Sequence, residues 1–452
     1  MNKIYFIGIG GIGMSGLAIL ANKKGYKVLG SDLSRNYITE KLKRKGIKVY
    51  HRHNSSNITK DIDLVVISSA IKDDNPELME ARRYNINIVK RAKFLSMMSS
   101  NSKVIAVSGT HGKTTTTGMI ASVFETSGSD YTAVIGGISK HIGSNVKTES
   151  GEYFIIEADE SDGSFLYYSP LISVVTNIDN DHLDFYKNIE NLKKIFLEFI
   201  NRIPFYGRAI ICGDNKNILS IINKIKSPFY TYGIENLNQW RTGNIKNNKK
   251  NTEFDIYYRG RKEDHINLSI FGTHNALNAT AAYISLRYSG INRKIIKEGL
   301  LNFKGMKRRL DLISSVGNVL FYDDYAHHPQ EIKTTLKALR DIYPDRNIKA
   351  IFQPHRYSRT LILYREFAKA FDCADEVHLT DIYPAGEKQI KNVSSKLILD
   401  EARKKGKNFF KFTETIDFAK NIRKNDLIIT LGAGDVYKIL DEIRIKYETL
   451  LK

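Results

Sequence analysis

The run Gly109-Thr110-His111-Gly112-Lys113-Thr114-Thr115 places two glycines, a lysine and a set of hydroxyls within seven residues. That combination binds phosphate. A glycine turn at a helix N-terminus aims several backbone N–H groups at one point, Lys113 adds a full positive charge, and the Thr114 hydroxyl is a ligand for Mg²⁺. The strict G-x-x-x-x-G-K-[ST] spacing is not met, because Val107 holds the first glycine position and the shorter G-T-x-G-K-T-T stands in its place. A Gly/Thr-rich helix cap is the bland alternative, and it leaves the placement of Gly-Lys-Thr between a strand and a helix unexplained.

Phosphoryl transfer also needs a metal and a cation that meets charge on the moving group. Glu157 is a hard-oxygen ligand for Mg²⁺, the first acid after its strand. His182, a less usual partner, stands at the next strand end. Asp159, Glu160 and Asp162 follow Glu157 in a charge run, which is read as a solvated face. Arg308 and Arg309 are candidates to close on a γ-phosphate. His327-His328 beside Asp323-Asp324 has poor spacing for a single ion, and no Ser-His-Asp, Cys-His or zinc pattern appears.

A second glycine turn, Gly8-Ile9-Gly10-Gly11-Ile12-Gly13, has Asp32 beyond the next strand and so matches the dinucleotide fingerprint. The pattern says only that a diphosphate can approach that helix. NAD(P), another diphosphate and a tight structural turn all remain open at this point.

These residues need elements to hold them. Lys3–Ile7, Lys27–Gly30 and Asp63–Ser68 read as strands of a first parallel sheet. Lys103–Val107, Tyr153–Glu157 and Leu171–Thr176 belong to a second, with a helix from Thr117 to Thr126 and another opened by His274-Asn275-Ala276-Leu277-Asn278. Val319–Tyr322, Ile348–Phe352, Glu376–Leu379 and Leu427–Thr430 belong to a third. Ligands of open parallel sheets lie beyond the carboxyl ends of the strands, where these polar clusters fall. The expectation is an α/β protein of three domains: a Rossmann-like N-terminal domain over 1–100, a central P-loop ATPase-type parallel sheet over 101–310, and a C-terminal Rossmann-like domain over 311–452.

A length of 452 residues agrees with several domains, each with its own core. The formal net charge of +20 permits polyanion binding, but the lysines are scattered and the densest cluster, Lys246 to Lys250, reads as a hairpin tip. No nucleic-acid partner is expected. Cys212 and Cys373 are the only cysteines, which fits a reducing cytoplasm. The apolar start to Ala21 is interrupted by five glycines, and no stretch is apolar enough to span a bilayer, so neither a signal peptide nor a membrane partner is expected.

Taken in order, GIGGIGMSGLA at 8–18, Ser68-Ser69-Ala70-Ile71, GTHGKTTTT at 109–117, EADESDGSF at 157–165 and TNIDNDHLD at 176–184 resemble the motif series of the Mur ligases. HNALN at 274–278, DDYAHHP at 323–329, QPHRYSRT at 353–360, YPAGE at 383–387 and GAGD at 432–435 continue it over essentially the whole chain. The resemblance implies an ATP- and Mg²⁺-dependent ligase of the branch that adds L-alanine to UDP-N-acetylmuramate through an acyl phosphate. It implies that Gly10, Gly11, Ile12, Gly13, Ser31, Asp32, Ser68, Ser69 and Ala70 bind the UDP-sugar. Gly109 to Thr115, with Lys113 and Thr114 on phosphates and metal, would bind ATP. His274, Asn275 and Asn278 would lie by the adenine, Arg309 on the γ-phosphate and Asp324 on the ribose. Thr114, Glu157 and His182 would place the metal. Tyr325, His327, His355, Arg356 and Arg359 would line the carboxylate and alanine pocket, a role that the planar arginine fork suits independently.

Two departures stand out. Ala326 occupies a position where the family commonly has glycine, and Leu197 aligns with the lysine that other branches carbamylate, so no carbamate is expected. The rivals are a recycling ligase that attaches an intact tripeptide to the same sugar nucleotide, an NAD(P) oxidoreductase, and a basic nucleic-acid-binding ATPase.

Overall fold

A computed structural model of the chain describes residues 2–68, 70–180, 183–248 and 251–451. Three sheets account for the strands. The first is all parallel, built from β1 (Lys3–Ile7), β2 (Lys27–Ser31), β3 (Lys48–Tyr50), β4 (Leu64–Ile67) and β5 (Asn87–Lys90) in the order β3-β2-β1-β4-β5. Its central strand carries Ile4, Tyr5, Phe6 and Ile7, all fully buried, as a sheet covered on both faces requires. The order steps outward in both directions from β1 and β4, so a crevice opens beyond their carboxyl ends, beside the glycine turn.

The second sheet comprises β6 (Lys103–Ser108), β7 (Tyr131–Val134), β8 (Val146–Lys147), β9 (Tyr153–Glu157), β10 (Ile172–Val175), β11 (Arg208–Cys212), β12 (Phe229–Gly233), β13 (Trp240–Asn247), β14 (Thr252–Tyr258) and β15 (Arg261–Leu268). Their order is β15-β14-β13-β12-β11-β10-β6-β9-β7-β8. The centre is parallel, but β7 pairs antiparallel with β8 and β14 antiparallel with β15, so the central sheet is mixed rather than purely parallel. The third contains β16 (Asp311–Val316), β17 (Val319–Asp324), β18 (Asn347–Phe352), β19 (Glu376–Leu379), β20 (Phe409–Lys411) and β21 (Asp426–Leu431), ordered β16-β17-β21-β18-β19-β20. It is parallel except for the β16–β17 hairpin.

The chain divides into two compact units at Gly305/Met306, apart from the short stretch 247–250. The first two sheets share one unit because their elements interlock. Lys23 Nζ donates to the Thr148 carbonyl at 3.1 Å and Ser96 Oγ to the Tyr167 carbonyl at 2.6 Å. Gly16 lies so close to Asn145 and Val146 that a Cβ there would be 3.5 Å from both. No helix among the described residues is long and apolar enough to cross a membrane.

The helix after the phosphate loop begins at Lys113, four residues earlier than its sequence suggests, and runs to Ser127. Thr114 to Thr117 are buried in it, at 0–9% exposure. The polar hydroxyls pass as loop residues in a sequence, whereas in the helix a threonine Oγ1 can bond the preceding turn, as Thr117 does to the Lys113 carbonyl at 2.8 Å.

Candidate active site

The loop between β6 and the 113–127 helix is a cradle fixed from outside. Thr110 N donates to the Asn177 carbonyl (3.1 Å), His111 N to Asn177 Oδ1 (2.8 Å), and Asp179 N to Thr110 Oγ1 (2.9 Å). Gly109 has φ +130°, and a Cβ there would lie 2.1 Å from Thr176 Oγ1; Gly112 has φ +85° and abuts the Asn278 amide. Only glycine fits both the backbone angle and the space. The HNALN segment meets the cradle at this second contact. It opens the helix Thr273–Tyr288, with Asn275 Nδ2 bonded to the Phe271 carbonyl at 2.8 Å and Asn278 Nδ2 to Asn275 Oδ1 at 3.4 Å.

Lys113 does not point into open solvent. Its ammonium donates to the Gly109 carbonyl at 2.7 Å and to both oxygens of Glu160 at 2.9 Å. Burial alone would lower the lysine pKa, but Glu160, Asp159 and Glu157 reverse that and hold it above its ordinary value. Glu160, expected on a solvated face, is fully buried, and its carbonyl accepts the Tyr186 hydroxyl. Its signal in the sequence was available: a buried phosphate-loop lysine needs a counter-charge, and the next strand end supplies one.

Thr114 Oγ1 donates to Glu157 Oε1 at 2.9 Å, and Gly136 N donates to Glu157 Oε2 at 2.7 Å. A Cβ at Gly136 would fall 2.4 Å from that carboxylate, so the glycine leaves it room. No group of three His, Cys, Asp or Glu side chains suited to a metal occurs among the described residues. A hydroxyl and one carboxylate are nonetheless the protein share of a Mg²⁺ site that nucleotide phosphates and water complete, so the residues present fit this ion. His182 lies outside the described residues, as does Ser69.

At the first sheet, Gly8 N and Ile9 N both donate to the Ser31 carbonyl at 2.9 Å, and Gly10 N donates to Asp32 Oδ2 at 2.8 Å. Asp32 thus fastens the glycine turn, and its other oxygen accepts Ser34 N at 2.9 Å. Gly11 is exposed and Ile12 begins the helix Ile12–Lys23. Ser68 packs against Gly8, and Ala70 N donates to Ser68 Oγ at 3.4 Å. Sequence reasoning passed over Arg91, which follows β5 directly and lies against Gly13, 3.3 Å from where a Cβ would be. A basic residue at a strand end beside a helix N-terminus is the signal that identifies it. Ser31 Oγ turns inward to buried Glu77, which also accepts the Tyr5 hydroxyl and Asn57 Nδ2, each at 2.7 Å.

The second unit gathers the other candidates on one rim. Arg308 and Arg309 separate into different jobs. Arg308 is a clamp, donating to Asp323 Oδ2 (2.9 Å) and to the carbonyls of Gly434 (3.1 Å) and Gly432 (2.6 Å). Arg309 sits over the Tyr325 ring at 5.2 Å and 3.8 Å from Glu331. Both neighbours of Arg309, Arg308 and Leu310, have positive φ (60° and 44°), a strained arrangement that presents it between two kinks. Asp324 braces this segment by accepting Leu310 N at 2.6 Å and Ala326 N at 2.7 Å; burial pushes its carboxyl up to about 6 despite Arg309. Ala326 is buried and is not among the positive-φ residues, so this turn does not need the glycine common in the family.

Beyond Tyr325 runs a row of rings. His327 meets Tyr325 edge-on at 5.4 Å, His355 lies 5.7 Å from His327, and Tyr383 stacks on His355 at 5.6 Å. Arg356 and Arg359 flank the row at the start of the helix Tyr357–Phe367, with the Arg356 side chain exposed. Burial, then His327 and the two arginines, push His355 down to about 3; burial pushes His274 down to about 4.

Both histidines are therefore neutral when folded near pH 7. Unfolded histidines take protons near pH 6.5, so the unfolded state binds more protons between that pH and the folded values, and stability falls as pH falls through that window. Urea melts from pH 7.5 to 4.5 should show this decline, and His355→Gln should make it shallower. An unchanged slope would mean that His355 accepts a proton in the folded state.

Family models match nearly all of this architecture: "Mur ligase family, catalytic domain" over residues 3–103, "Mur ligase middle domain" over 107–286 and "Mur ligase, glutamate ligase domain" over 308–434. The UDP-N-acetylmuramate–L-alanine ligase of Geotalea daltonii is 44% identical over 98% of this chain and 97% of its own length. The enzyme of the same name from Aquifex aeolicus is 43% identical, with 98% and 97% covered. Among solved structures, the UDP-N-acetylmuramate–alanine ligase of Thermotoga maritima superposes with a TM-score of 0.84 at 28% identity, covering 100% of both chains. Matching models on all three sheets and full-length relatives of this identity leave one conclusion: the chain belongs to the Mur ligase family.

Proposed function

We propose that this chain joins L-alanine to the lactyl carboxylate of UDP-N-acetylmuramate, with ATP converted to ADP and phosphate. The observation that carries the reading is the Lys113–Thr114–Glu157 cradle on one unit together with a second rim where exposed Arg356 flanks neutral His355. The first arrangement suits phosphoryl transfer, and the second suits an amino-acid carboxylate. The alanine-ligase names of relatives that are 42–45% identical over nearly the whole chain support the choice of amino acid.

In this reading residues 1–100 hold the UDP end, 101–310 hold ATP, and 311–452 serve the carboxylate and the amino acid. The glycine turn, braced from behind by Ser31 and Asp32, frames the diphosphate with Ser68–Ala70 and Arg91. Thr114 and Glu157, with His182, would hold Mg²⁺, which when bound would neutralise phosphate charge. Lys113 moves from Glu160 to the phosphate oxygens. His274, Asn275 and Asn278 take the adenine side, and each Asp324 oxygen keeps a lone pair for a ribose hydroxyl. Arg309 meets the γ-phosphoryl group as the lactyl carboxylate oxygen attacks phosphorus and ADP leaves. The alanine nitrogen, having lost its proton, then attacks the acyl carbon, and phosphate departs with the C–O electron pair. Tyr325, His327, His355, Arg356 and Arg359 orient that second step.

The direct test is phosphate release from ATP with UDP-N-acetylmuramate, scanned over amino acids and the tripeptide. Release that requires alanine supports the reading; release with the tripeptide alone would replace it with the recycling ligase. An NAD(P) oxidoreductase leaves the cradle without a task.

Arg356→Ala should slow alanine-dependent turnover roughly ten- to hundredfold, the value of a charge-assisted bond worth about 1.5–3 kcal/mol. ATP and UDP-N-acetylmuramate binding by calorimetry should stay as in the parent enzyme. Unchanged alanine dependence would remove Arg356 from the pocket.

A further inference from the structure

The segment Tyr383-Pro384-Ala385-Gly386-Glu387 has no part in the scheme above, yet it grips the amino-acid rim at three points. The Tyr383 ring stacks on His355 with an interplanar angle of 10°. Its carbonyl accepts Arg356 N at 2.8 Å, and its own N–H donates to the Pro354 carbonyl at 2.8 Å, so the two strand-end segments form a short bridge. Glu387 then closes on the helix that Arg356 precedes. Its Oε2 accepts Ser358 N at 3.0 Å and its Oε1 accepts Ser358 Oγ at 2.6 Å.

These contacts hold Arg356 in a costly shape. It has φ +74° and ψ +139°, a region that a side chain other than glycine rarely occupies. Such a conformation persists only when its surroundings over-determine it, and here the determinants are the Tyr383 carbonyl on one side and Glu387 on the other. The loop is itself bent to reach them, with Ala385 at φ +50° and Gly386 at φ +85°. Half-buried Glu387 stays ionised: burial works against its charge, but the two Ser358 bonds and the nearby Arg356 outweigh it. A carboxylate at a helix N-terminus is also favoured by the helix dipole.

We propose that Glu387, through Ser358 and with Tyr383 opposite, is a positioning residue that sets the Arg356 guanidinium for the carboxylate of the incoming amino acid. The inference rests on the alanine-ligase reading above. Glu387 does not touch the substrate; it fixes the direction from which Arg356 does.

The test compares Glu387→Ala, Glu387→Gln and Ser358→Ala in the full-length enzyme, with KM and kcat taken separately for alanine, ATP and UDP-N-acetylmuramate. Glu387→Ala should raise the alanine KM roughly tenfold or more and leave the other two KM values within about twofold. Glu387→Gln keeps an acceptor for Ser358 N and should stay within about threefold of the parent enzyme. Ser358→Ala should shift the alanine KM in the same direction by less, and it carries the test if Glu387→Ala does not fold.

An Arg356→Ala background separates positioning from general loosening. There Glu387→Ala should add less than about twofold, because the group it positions is gone. A full additional tenfold in that background, a rise in all three KM values, or an alanine KM that falls when the charge is removed would each overturn the proposal. A parent enzyme that releases no phosphate with alanine would instead refute the alanine-ligase reading itself, before any variant is compared.

Discussion

Lys113→Ala should lower ATP-dependent turnover on the order of a thousandfold or more, because it removes the cation proposed to meet the phosphates. The same substitution should also destabilise the protein. Glu160 is 0% exposed, and both its oxygens lie 2.9 Å from the ammonium that would be lost. Removing one partner of a buried ion pair costs about 3–5 kcal/mol, since the other charge is stranded. A second substitution separates the two effects. In Lys113→Ala/Glu160→Gln the stranded charge is gone, so thermal stability should largely return while turnover does not. UDP-N-acetylmuramate titrated into the double variant should bind as to the parent enzyme, because its proposed frame is on the first sheet. A double variant as unstable as the single one would show that the loss does not come from Glu160.

Glu157→Gln should cut the rate on the order of a hundredfold at low Mg²⁺ and recover partly as Mg²⁺ is raised, because the proposed hard anionic ligand becomes a neutral one. Glutamine can still accept the Thr114 hydroxyl, which now reaches Glu157 Oε1 at 2.9 Å. Its NH₂ group, however, would face Gly136 N, which donates to Oε2 at 2.7 Å, and a modest loss of stability follows from that one mismatch. Rates over a Mg²⁺ series, beside melting curves, decide the matter. A large fall in melting temperature with a normal Mg²⁺ dependence would make Glu157 a structural residue.

Much of this was legible in the sequence for a definite physical reason. Short apolar runs such as Val104 to Val107, closed at once by a glycine turn, read as strands buried on both faces, and the polar clusters that end them mark the ligand rim of a parallel sheet. Antiparallel additions were harder to see. Strand β15 reads RKEDHINL, half of it charged, and its pairing with β14, not its own periodicity, keeps it extended. The site failed to show where long-range pairing decides burial. Glu160 resembles its solvated neighbours until Lys113 is brought beside it, 47 residues away in sequence. Arg308 and Arg309 are indistinguishable as letters; Asp323 and the carbonyls of Gly432 and Gly434, more than a hundred residues on, make one of them a clamp.

The grip of Glu160 on Lys113 bears on how this enzyme can be inhibited. A lysine forms covalent adducts through its neutral amine, and nucleophilic lysines reach that state by a lowered pKa. Here three carboxylates push the other way and keep the ammonium charged. Electrophiles designed to acylate or sulfonylate a phosphate-loop lysine therefore have a poor target in this resting cradle. A compound that offers Lys113 a competing anion, and so draws it off Glu160, works with the electrostatics instead of against them.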